Sequence, residues 1–266
     1  MMSNRFESKI VIVTGAASGI GEKTAIKFAN EGAKVIIADI NKETGSIVAD
    51  QIKKDNGEAL FVETNVAKFS SVDNMVSQTL DTFGIPDVLI NNAGINVFGE
   101  PLNMPDSEWK RAFSVDLDGV WFGCKAVLPH MLKKNKGSIV NVASVHGLQI
   151  IPNCFPYPVA KHGVIGLTKA LAVDYAAKGI KINSISPGYI ETPIIDRFFK
   201  TKPDPIAARK EAESHQPIKR MGTTDEIANT ILFMSSEECN YMIGANIVVD
   251  GGITLRMHEN EDTGAG

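Results

Sequence analysis

Residues 9–39 read KIVIVTGAASGIGEKTAIKFANEGAKVIIAD, in which two apolar runs enclose a glycine-rich turn and a longer mixed stretch. Apolar runs that are nearly continuous and rich in β-branched residues are typical of parallel strands covered on both faces. We predict strands over 9–14 and 33–39 and a helix over 19–30, because Gly32 suits the position just past the end of a helix. This part of the chain therefore predicts a strand–helix–strand unit.

The same alternation of strands and helices continues along the chain. Further helices are expected near residues 42–56, 70–83, 107–134, 157–177 and 224–235, and further strands near 59–63, 87–90, 137–142, 181–186 and 245–249. The pattern predicts an α/β fold, a single doubly wound Rossmann domain with a seven-stranded parallel sheet and helices on both faces. Ligands of such sheets bind at the carboxyl ends of the strands.

The prediction of a single domain over residues 1–266 follows from the lack of a Gly/Ser-rich or Pro-rich linker and of internal repeats. Residues 190–220 contain four prolines and form the least regular stretch. A long segment of this kind suggests a substrate loop or lid. Residues 253–266 turn polar and are expected to form a C-terminal tail that frays at its end.

The composition of the chain argues against several kinds of binding partner. The net charge is −4 and 22% of the residues are charged, a balance that argues against general binding of polyanions such as nucleic acids. No apolar run approaches the length of a membrane span, and the first nine residues lack the apolar stretch of a signal peptide. The three cysteines have no CxxC spacing, which fits a reducing compartment, and the histidines show no metal-binding pattern. We therefore predict a cytoplasmic protein without a metal, nucleic-acid or membrane partner.

The turn after the first strand places Gly15, Gly19 and Gly21 at the spacing GxxxGxG. Glycines permit a tight turn and a close approach of the backbone to a ligand. The N-terminus of the helix that follows offers free N–H groups to a pyrophosphate. A glycine-rich turn between a predicted strand and a predicted helix therefore indicates a dinucleotide site.

The acidic residue after the second strand bears on the choice of dinucleotide. Asp39 ends that strand, where its carboxylate can accept hydrogen bonds from ribose hydroxyls and would repel a 2′-phosphate. Neither Ser18 nor Ile40 supplies the basic group that NADP requires. The pattern favours NAD, although Lys23 and Lys42 lie close enough in sequence to soften the preference.

Candidate catalytic residues follow later in the chain. Tyr157 and Lys161 are four residues apart and share one face of a predicted helix. An adjacent ammonium lowers the pKa of a phenol, which prepares it for proton exchange near neutral pH. Ser144 follows the predicted strand that ends at Val142, so its hydroxyl lies at the carboxyl edge of the sheet and can hold a substrate oxygen near the phenol.

Several motifs occur together in one order. They are TGAASGIG at 14–21, Asn91-Asn92-Ala93-Gly94, Ser144, Tyr157-xxx-Lys161 and Pro187-Gly188. In order and spacing they resemble the short-chain dehydrogenase/reductase family, and the resemblance extends from about residue 9 to residue 252. Each motif is modest alone, but the ordered set is highly specific for that family.

The resemblance implies a role for each matching residue. Tyr157 would be the general acid or base on the substrate oxygen, Lys161 would lower the tyrosine pKa and bind the nicotinamide ribose, and Ser144 would orient the substrate. The implied cofactor residues are Gly15, Ser18, Gly19 and Ile20 at the pyrophosphate, Asp39 at the ribose, Asn65 and Val66 at the adenine, Asn92 beside the cofactor, and Ile190 and Thr192 at the nicotinamide amide. Ile40, which follows Asp39, is also included among the cofactor-binding residues.

Two positions depart from the family pattern. The family often has Asp where this chain has Asn65, a change that still permits hydrogen bonding. In Ser114-Val115-Asp116-Leu117 the family usually has Asn at the position of Asp116, where the amide helps to order water behind the lysine. An aspartate could accept the same hydrogen bonds and pair with Lys161, but it cannot donate unless protonated. We include Asp116 among the catalytic candidates.

The substrate must be deduced from the residues near the catalytic set. Those that bear on it are His146, Gln149, Asn153, Phe155, Tyr189 and Glu191. We expect His146, Asn153 and Glu191, with Ser144 and Tyr157, to contact a polyhydroxylated ligand. Together with HQPIKRMG at 215–222 and VDGG at 249–252, the motifs also resemble aldose 1-dehydrogenases, which oxidise the anomeric carbon of a cyclic sugar to a lactone.

Two alternatives stay open. A 3-oxoacyl-carrier-protein reductase shares most of the motifs, but Asp39 disfavours the NADPH that such chemistry commonly uses. A nucleotide-sensing protein without turnover would not need Tyr157, Lys161 and Ser144 together. The family resemblance also implies a homotetramer, which the apolar residues of the two long predicted helices could support.

Overall fold

The structure is a computed structural model that describes residues 4–255. Its strands are β1 (Ile10–Thr14), β2 (Lys34–Asp39), β3 (Glu58–Glu63), β4 (Val88–Asn91), β5 (Phe98–Gly99), β6 (Gly137–Val142), β7 (Phe155–Pro156), β8 (Ile180–Pro187) and β9 (Asn246–Val249). Its α-helices are α1 (Gly19–Asn30), α2 (Lys42–Lys54), α3 (Phe69–Thr82), α4 (Asp106–Phe113), α5 (Gly119–Lys134), α6 (Tyr157–Tyr175), α7 (Pro193–Lys200), α8 (Pro205–His215) and α9 (Thr224–Ser235). The C-terminal residues 256–266, most of the predicted polar tail, lie outside the described part of the chain.

The main sheet has seven parallel strands in the order β3-β2-β1-β4-β6-β8-β9, which confirms the predicted fold class. The chain builds outward from β1 to β3 and then returns to place β4 on the other side of β1. Connections on the two sides of this switch diverge, and the carboxyl ends of β1 and β4 therefore border a crevice.

The sheet is covered on both faces, as the apolar pattern of its strands requires. Val11 and Val13 of β1 are buried in one hydrophobic core with Phe28 of α1. Ile12, whose side chain points to the other face, is buried in a second core with Val127 of α5. Successive strand residues alternate between faces, so a run that is apolar throughout needs helices on both sides.

The helix predicted over 107–134 is interrupted. A five-residue π-helical segment, Ser114–Asp118, separates α4 from α5, and Asp116 lies in its middle. The wider turn shifts the register of the side chains relative to a regular helix. Asp116 is consequently buried at this point of the fold.

The prediction that residues 190–220 are irregular is wrong, because this stretch contains the two helices α7 and α8. Pro193 and Pro205 are the first residues of these helices, where a proline lacks only an N–H that would be unpaired in any case. Thr192 caps α7, and Asp204 caps α8 by accepting hydrogen bonds from two backbone amides. The prolines therefore start helices here.

A two-stranded antiparallel pair, β5 with β7, was not predicted. It places Phe98 opposite Pro156, the residue immediately before Tyr157, and so brings the segment after β4 to the start of α6. No helix in residues 4–255 is long and apolar enough to cross a membrane.

Candidate active site

A cavity of about 980 Å³ lies along the carboxyl ends of the parallel strands. Every residue predicted for the cofactor lines it, namely Gly15, Ser18, Gly19, Ile20, Asp39, Ile40, Asn65, Val66, Asn92, Tyr157, Lys161, Ile190 and Thr192. The fold therefore brings together residues that are up to 177 positions apart in the chain, from Gly15 to Thr192.

The glycine-rich turn is shaped for close contact with a ligand. Gly15 and Gly19 have φ of +65° and +61°, a region that residues with a Cβ rarely adopt. A Cβ on Gly21 would lie 2.2 Å from the Gly15 carbonyl oxygen. The Asn92 side chain fixes the turn by donating to the carbonyl oxygens of Thr14 and Gly15, at 2.9 and 3.1 Å.

The turn leads directly into the N-terminus of α1. Ser18 is the N-cap residue, yet its side chain makes no capping hydrogen bond. A free hydroxyl beside the first amides of a helix is suited to bind an anion such as a pyrophosphate. The residues present therefore fit a dinucleotide at this end of the cavity.

Asp39 is held rigidly at the cavity edge. One carboxylate oxygen accepts a hydrogen bond from the Ala17 amide at 3.0 Å, and the other accepts from the Asn41 amide at 2.9 Å. The bond from Ala17 connects the end of β2 to the glycine-rich turn, and the bond from Asn41 fixes the carboxylate to the loop that follows β2. A carboxylate so placed can accept hydrogen bonds from ribose hydroxyls, and it opposes a phosphate at the same position.

Ser144, Tyr157 and Lys161 meet at the other end of the cavity. Ser144 follows β6 and its Oγ accepts a hydrogen bond from the His146 amide at 3.1 Å. Tyr157 begins α6, and the Lys161 Nζ one turn later lies 5.4 Å from the centre of the phenol ring. Lys161 is anchored by a hydrogen bond of 3.2 Å to the Val142 carbonyl oxygen.

Burial controls the acidity of the phenol. It raises the pKa of Tyr157 above the usual range, and the charge of Lys161 and contact with the Ser144 hydroxyl only partly oppose it. The sequence-based prediction of a lowered tyrosine pKa is therefore wrong. The sign of the lysine effect was right, but loss of hydration around the phenolate is larger.

Asp116 does not line the cavity. Its side chain is 0% exposed, and its Oδ1 accepts from the Ile95 amide at 2.9 Å and lies 3.8 Å from Lys161 Nζ. Its Oδ2 is buried without a hydrogen-bond partner in residues 4–255. Burial raises the pKa of Asp116, and the positive charge of Lys161 opposes that rise. Asp116 thus contacts Lys161 and not the space that a substrate would occupy.

The predicted substrate residues separate into two groups. Ser144, His146 and Tyr157 line the cavity, and burial lowers the pKa of the His146 imidazole. Asn153 and Glu191 do not line it, which corrects the prediction of their position. Asn153 is exposed in a turn with φ of +61°, and Glu191 is turned away into an ion pair with Arg209.

Sequence reasoning missed an aromatic wall beside the phenol. The Phe98 ring makes edge-to-face contacts with Tyr157 and with Phe198 of α7, at centroid distances of 5.5 and 5.8 Å. Ile150 and Ile151 also line the cavity. Phe98 follows an irregular segment and Phe198 lies in a helix that was not predicted, so no periodicity showed which way either ring points. No group of His, Cys, Asp or Glu side chains in the described part could hold a metal ion.

The chain is similar in sequence and in structure to several known proteins. A family described as enoyl-(acyl carrier protein) reductase matches residues 15–254. The cyclohexanol dehydrogenase of Acinetobacter sp. is 39% identical over 96% of this chain and 99% of its own length. The 3-oxoacyl-[acyl-carrier-protein] reductase of Thermotoga maritima is 38% identical over 94% and 100%. The crystal structure of levodione reductase has a TM-score of 0.92 at 34% identity, covering 95% of this chain and all of that one.

Proposed function

Because the chain belongs to the short-chain dehydrogenase/reductase family and is an oxidoreductase of CH–OH groups, we propose that it is an NAD-dependent dehydrogenase of a compact cyclic secondary alcohol. The observation that carries the proposal is the meeting of Ser144, Tyr157 and Lys161 in the cavity that also contains the glycine-rich turn and Asp39. A proton-transferring group and a cofactor site within one cavity are what alcohol oxidation requires.

The residues of this chain would do the following work. Bound NAD would supply the acceptor for the hydride that leaves the alcohol carbon. The Tyr157 oxygen would take the hydroxyl proton, so that the C–O bond becomes a carbonyl, and would return that proton in the reverse reaction. The Ser144 hydroxyl would hold the substrate oxygen next to the phenol, and the charge of Lys161 would favour the phenolate.

The preference for NAD over NADP is supported by the fixed carboxylate of Asp39. Because both of its oxygens accept backbone hydrogen bonds, it cannot turn away from a 2′-phosphate without losing them. Like charges at such short range are mutually unfavourable, and Ile40 beside it offers no compensating cation.

The substrate class is supported by the wall of the cavity. Phe98, Phe198 and Ile150 are apolar and line the side near the phenol. An apolar wall gains most from a ligand that buries hydrocarbon surface. Two relatives are named for cyclohexanol and levodione, and both names accord with a carbocyclic alcohol or ketone.

An aldose is the second candidate for the substrate. His146 and Gln149 line the cavity and could bind ring hydroxyls, as the sequence-based prediction of a sugar oxidised to its lactone requires. That prediction is weakened by the positions of Asn153 and Glu191 outside the lining. The acyl-carrier-protein reductase alternative is supported by one named relative and opposed by Asp39.

We also propose that the enzyme is a homotetramer in the cytoplasm. The support for assembly is the exposure of large apolar side chains on two helices, Val159 and Val173 of α6 and Phe233 of α9. Apolar side chains grouped on a helix face are typical of surfaces that pack against another subunit. The cytoplasmic location rests on the buried, unpaired cysteines.

The test is an absorbance assay of the reduced nicotinamide. Purified protein is mixed with NAD or NADP and with cyclohexanols, aldopentoses and aldohexoses, and in the reverse direction with an acetoacetyl thioester. We expect the highest kcat/KM with NAD and a cyclohexanol. Turnover confined to aldoses would establish the second candidate, and NADPH consumption with the thioester alone would overturn both.

A further inference from the structure

Two cations line the α7 side of the cavity without an acidic partner. Neither Arg197 nor Lys202 has a side-chain hydrogen bond or an ion pair within residues 4–255. The Nζ of Lys202 lies over the Phe198 ring, 4.5 Å from its centroid. The neighbouring Arg209 differs, because its guanidinium pairs with Glu191, Asp196 and Glu213. These three acidic side chains therefore pair with Arg209 and not with Arg197 or Lys202.

The ammonium of Lys202 lies at the end of the aromatic wall. Phe98 contacts the Tyr157 ring at one side and the Phe198 ring at the other, and Lys202 Nζ lies over the face of Phe198. Cys154, which also lines the cavity, is within electrostatic range of both Tyr157 and Lys202. The phenol and the ammonium therefore mark the two ends of one apolar slot.

We propose that the substrate is a ring alcohol that carries a carboxylate remote from the reacting carbon, and that Lys202, assisted by Arg197, binds that carboxylate. This inference rests on the proposed function and names the substrate class for the same cavity. Glu211 is the acidic side chain that lines the cavity from α8, and it disfavours a second anion on that side. The carboxylate is therefore directed towards α7.

The strength of the ion pair between Lys202 and the substrate carboxylate depends on how binding of the substrate ring changes the surroundings of the pair. An exposed lysine–carboxylate pair contributes little in water. A substrate ring that displaces water from the wall formed by Phe98 and Phe198 lowers the local dielectric and strengthens the attraction. Lys202 loses no ion pair to bind the substrate, so the gain is not offset by breaking an existing contact.

The test compares two substrates of the same shape, 4-hydroxycyclohexanecarboxylate and 4-methylcyclohexanol, with NAD. We expect kcat/KM to favour the carboxylate by about tenfold, equivalent to about 1.4 kcal/mol, mainly through KM. The preference should fall as ionic strength rises. Lys202→Met should remove it and leave the methyl compound unaffected, whereas Lys202→Arg should retain it. The matched control is Lys200→Met, an exposed lysine of α7 outside the cavity lining.

A binding measurement separates this inference from the proposed function. Calorimetry with cyclohexanecarboxylate, which has no hydroxyl to oxidise, requires no turnover. Binding that Lys202→Met abolishes and Lys200→Met preserves supports the carboxylate site even if no alcohol is oxidised, a result that would count only against the proposed function. Equal kcat/KM for the two ring alcohols, or a preference that survives both Lys202→Met and Arg197→Met, overturns the inference.

Discussion

The carboxylate of Asp116 lies 3.8 Å from the ammonium of Lys161, and both side chains are buried. The short-chain dehydrogenase/reductase pattern usually has an uncharged Asn at this position. A glycine makes the pair possible, because a Cβ on Gly94 would lie 2.9 Å from the Asp116 oxygen and 3.5 Å from the lysine nitrogen. The chain therefore has a carboxyl group directly behind the lysine that acts on Tyr157.

The Asp116→Asn variant should shift the pH profile of alcohol oxidation to lower pH. The negative charge of Asp116 is one of the causes that raise the pKa of Tyr157, so its removal lowers that pKa and provides the phenolate at lower pH. The measurement is kcat/KM against pH with NAD in excess. An unchanged profile would mean that Asp116 is already neutral at the working pH, as the burial that raises its own pKa would favour.

The Tyr157→Phe variant should lose about 10²–10⁴-fold in kcat, the usual contribution of a positioned proton-transferring group. Its affinity for NADH, measured by fluorescence titration, should change little because the glycine-rich turn and Asp39 are untouched. Tyr189→Phe is the matched control, since Tyr189 also lines the cavity and is a phenol whose pKa burial raises. Comparable loss in both variants would argue that the phenol of Tyr157 has no special role.

The Asp39→Asn variant should move cofactor selectivity towards NADP. Asn keeps the shape of the side chain but removes the charge that opposes a 2′-phosphate. We expect the ratio of kcat/KM for NADP to that for NAD to rise about tenfold, which corresponds to about 1.4 kcal/mol. Asp50→Asn, an exposed position of α2, is the control and should leave the ratio unchanged. A ratio unaffected by Asp39→Asn would remove the structural basis for the NAD preference.

Much of the fold could be predicted because the strands are apolar throughout and the helices have recognisable ends. The helix predicted over 19–30 and the strand over 137–142 agree with α1 and β6 at both ends. The errors lie where local signals are ambiguous. Prolines at the start of α7 and α8 suggested irregular structure, and a π-helical turn at Ser114–Asp118 leaves no mark in hydrophobic periodicity.

The residues of the candidate site also differ in how well the sequence predicted their positions. Residues at the strand ends, such as Asp39 and Ser144, could be placed because parallel strands end at one edge of a sheet. Asn153 and Glu191 could not, because the direction of a loop side chain depends on tertiary contacts such as the pairing of Glu191 with Arg209. The position of Phe98 depends on the short pairing of β5 with β7, two residues in each strand.

The Gly123→Ala variant should destabilise the protein. A Cβ on Gly123 of α5 would lie 2.2 Å from the side-chain oxygen of buried Asn91. The Asn91 amide donates to Asn141, and the Asn141 amide donates to Thr168 of α6, each at 2.9 Å. Displacing Asn91 strains this buried network, and overpacking of this kind costs about 1–3 kcal/mol. Chemical denaturation measures the loss.

The control for Gly123→Ala is a substitution at an exposed position of the same helix. Lys133→Ala changes an exposed residue of the same helix and should alter the free energy of unfolding by less than about 0.5 kcal/mol. A Gly123→Ala variant as stable as the parent would mean that α5 can move away from β4 without cost. The contact between Gly123 and Asn91 would then not constrain the sheet.

The Val173→Glu variant should reduce the size of the assembly without unfolding the subunit. Val173 is 81% exposed on α6, and Val159, Gly166 and Ala170 lie on the same helix face by their spacing. A Cβ on Gly166 meets nothing within 4 Å in a single subunit, so this face has room for a close approach of another helix. A charge buried in such an interface without a partner is strongly unfavourable, whereas on an exposed surface it costs little.

Light scattering should therefore show a lower molar mass with an unchanged circular dichroism spectrum. Ile47→Glu, a 62% exposed position of α2, introduces the same charge on a different helix and should leave the molar mass of the parent. A parent protein that is monomeric at assay concentration would contradict the proposed tetramer, and the exposed face of α6 would then have to be explained by another contact.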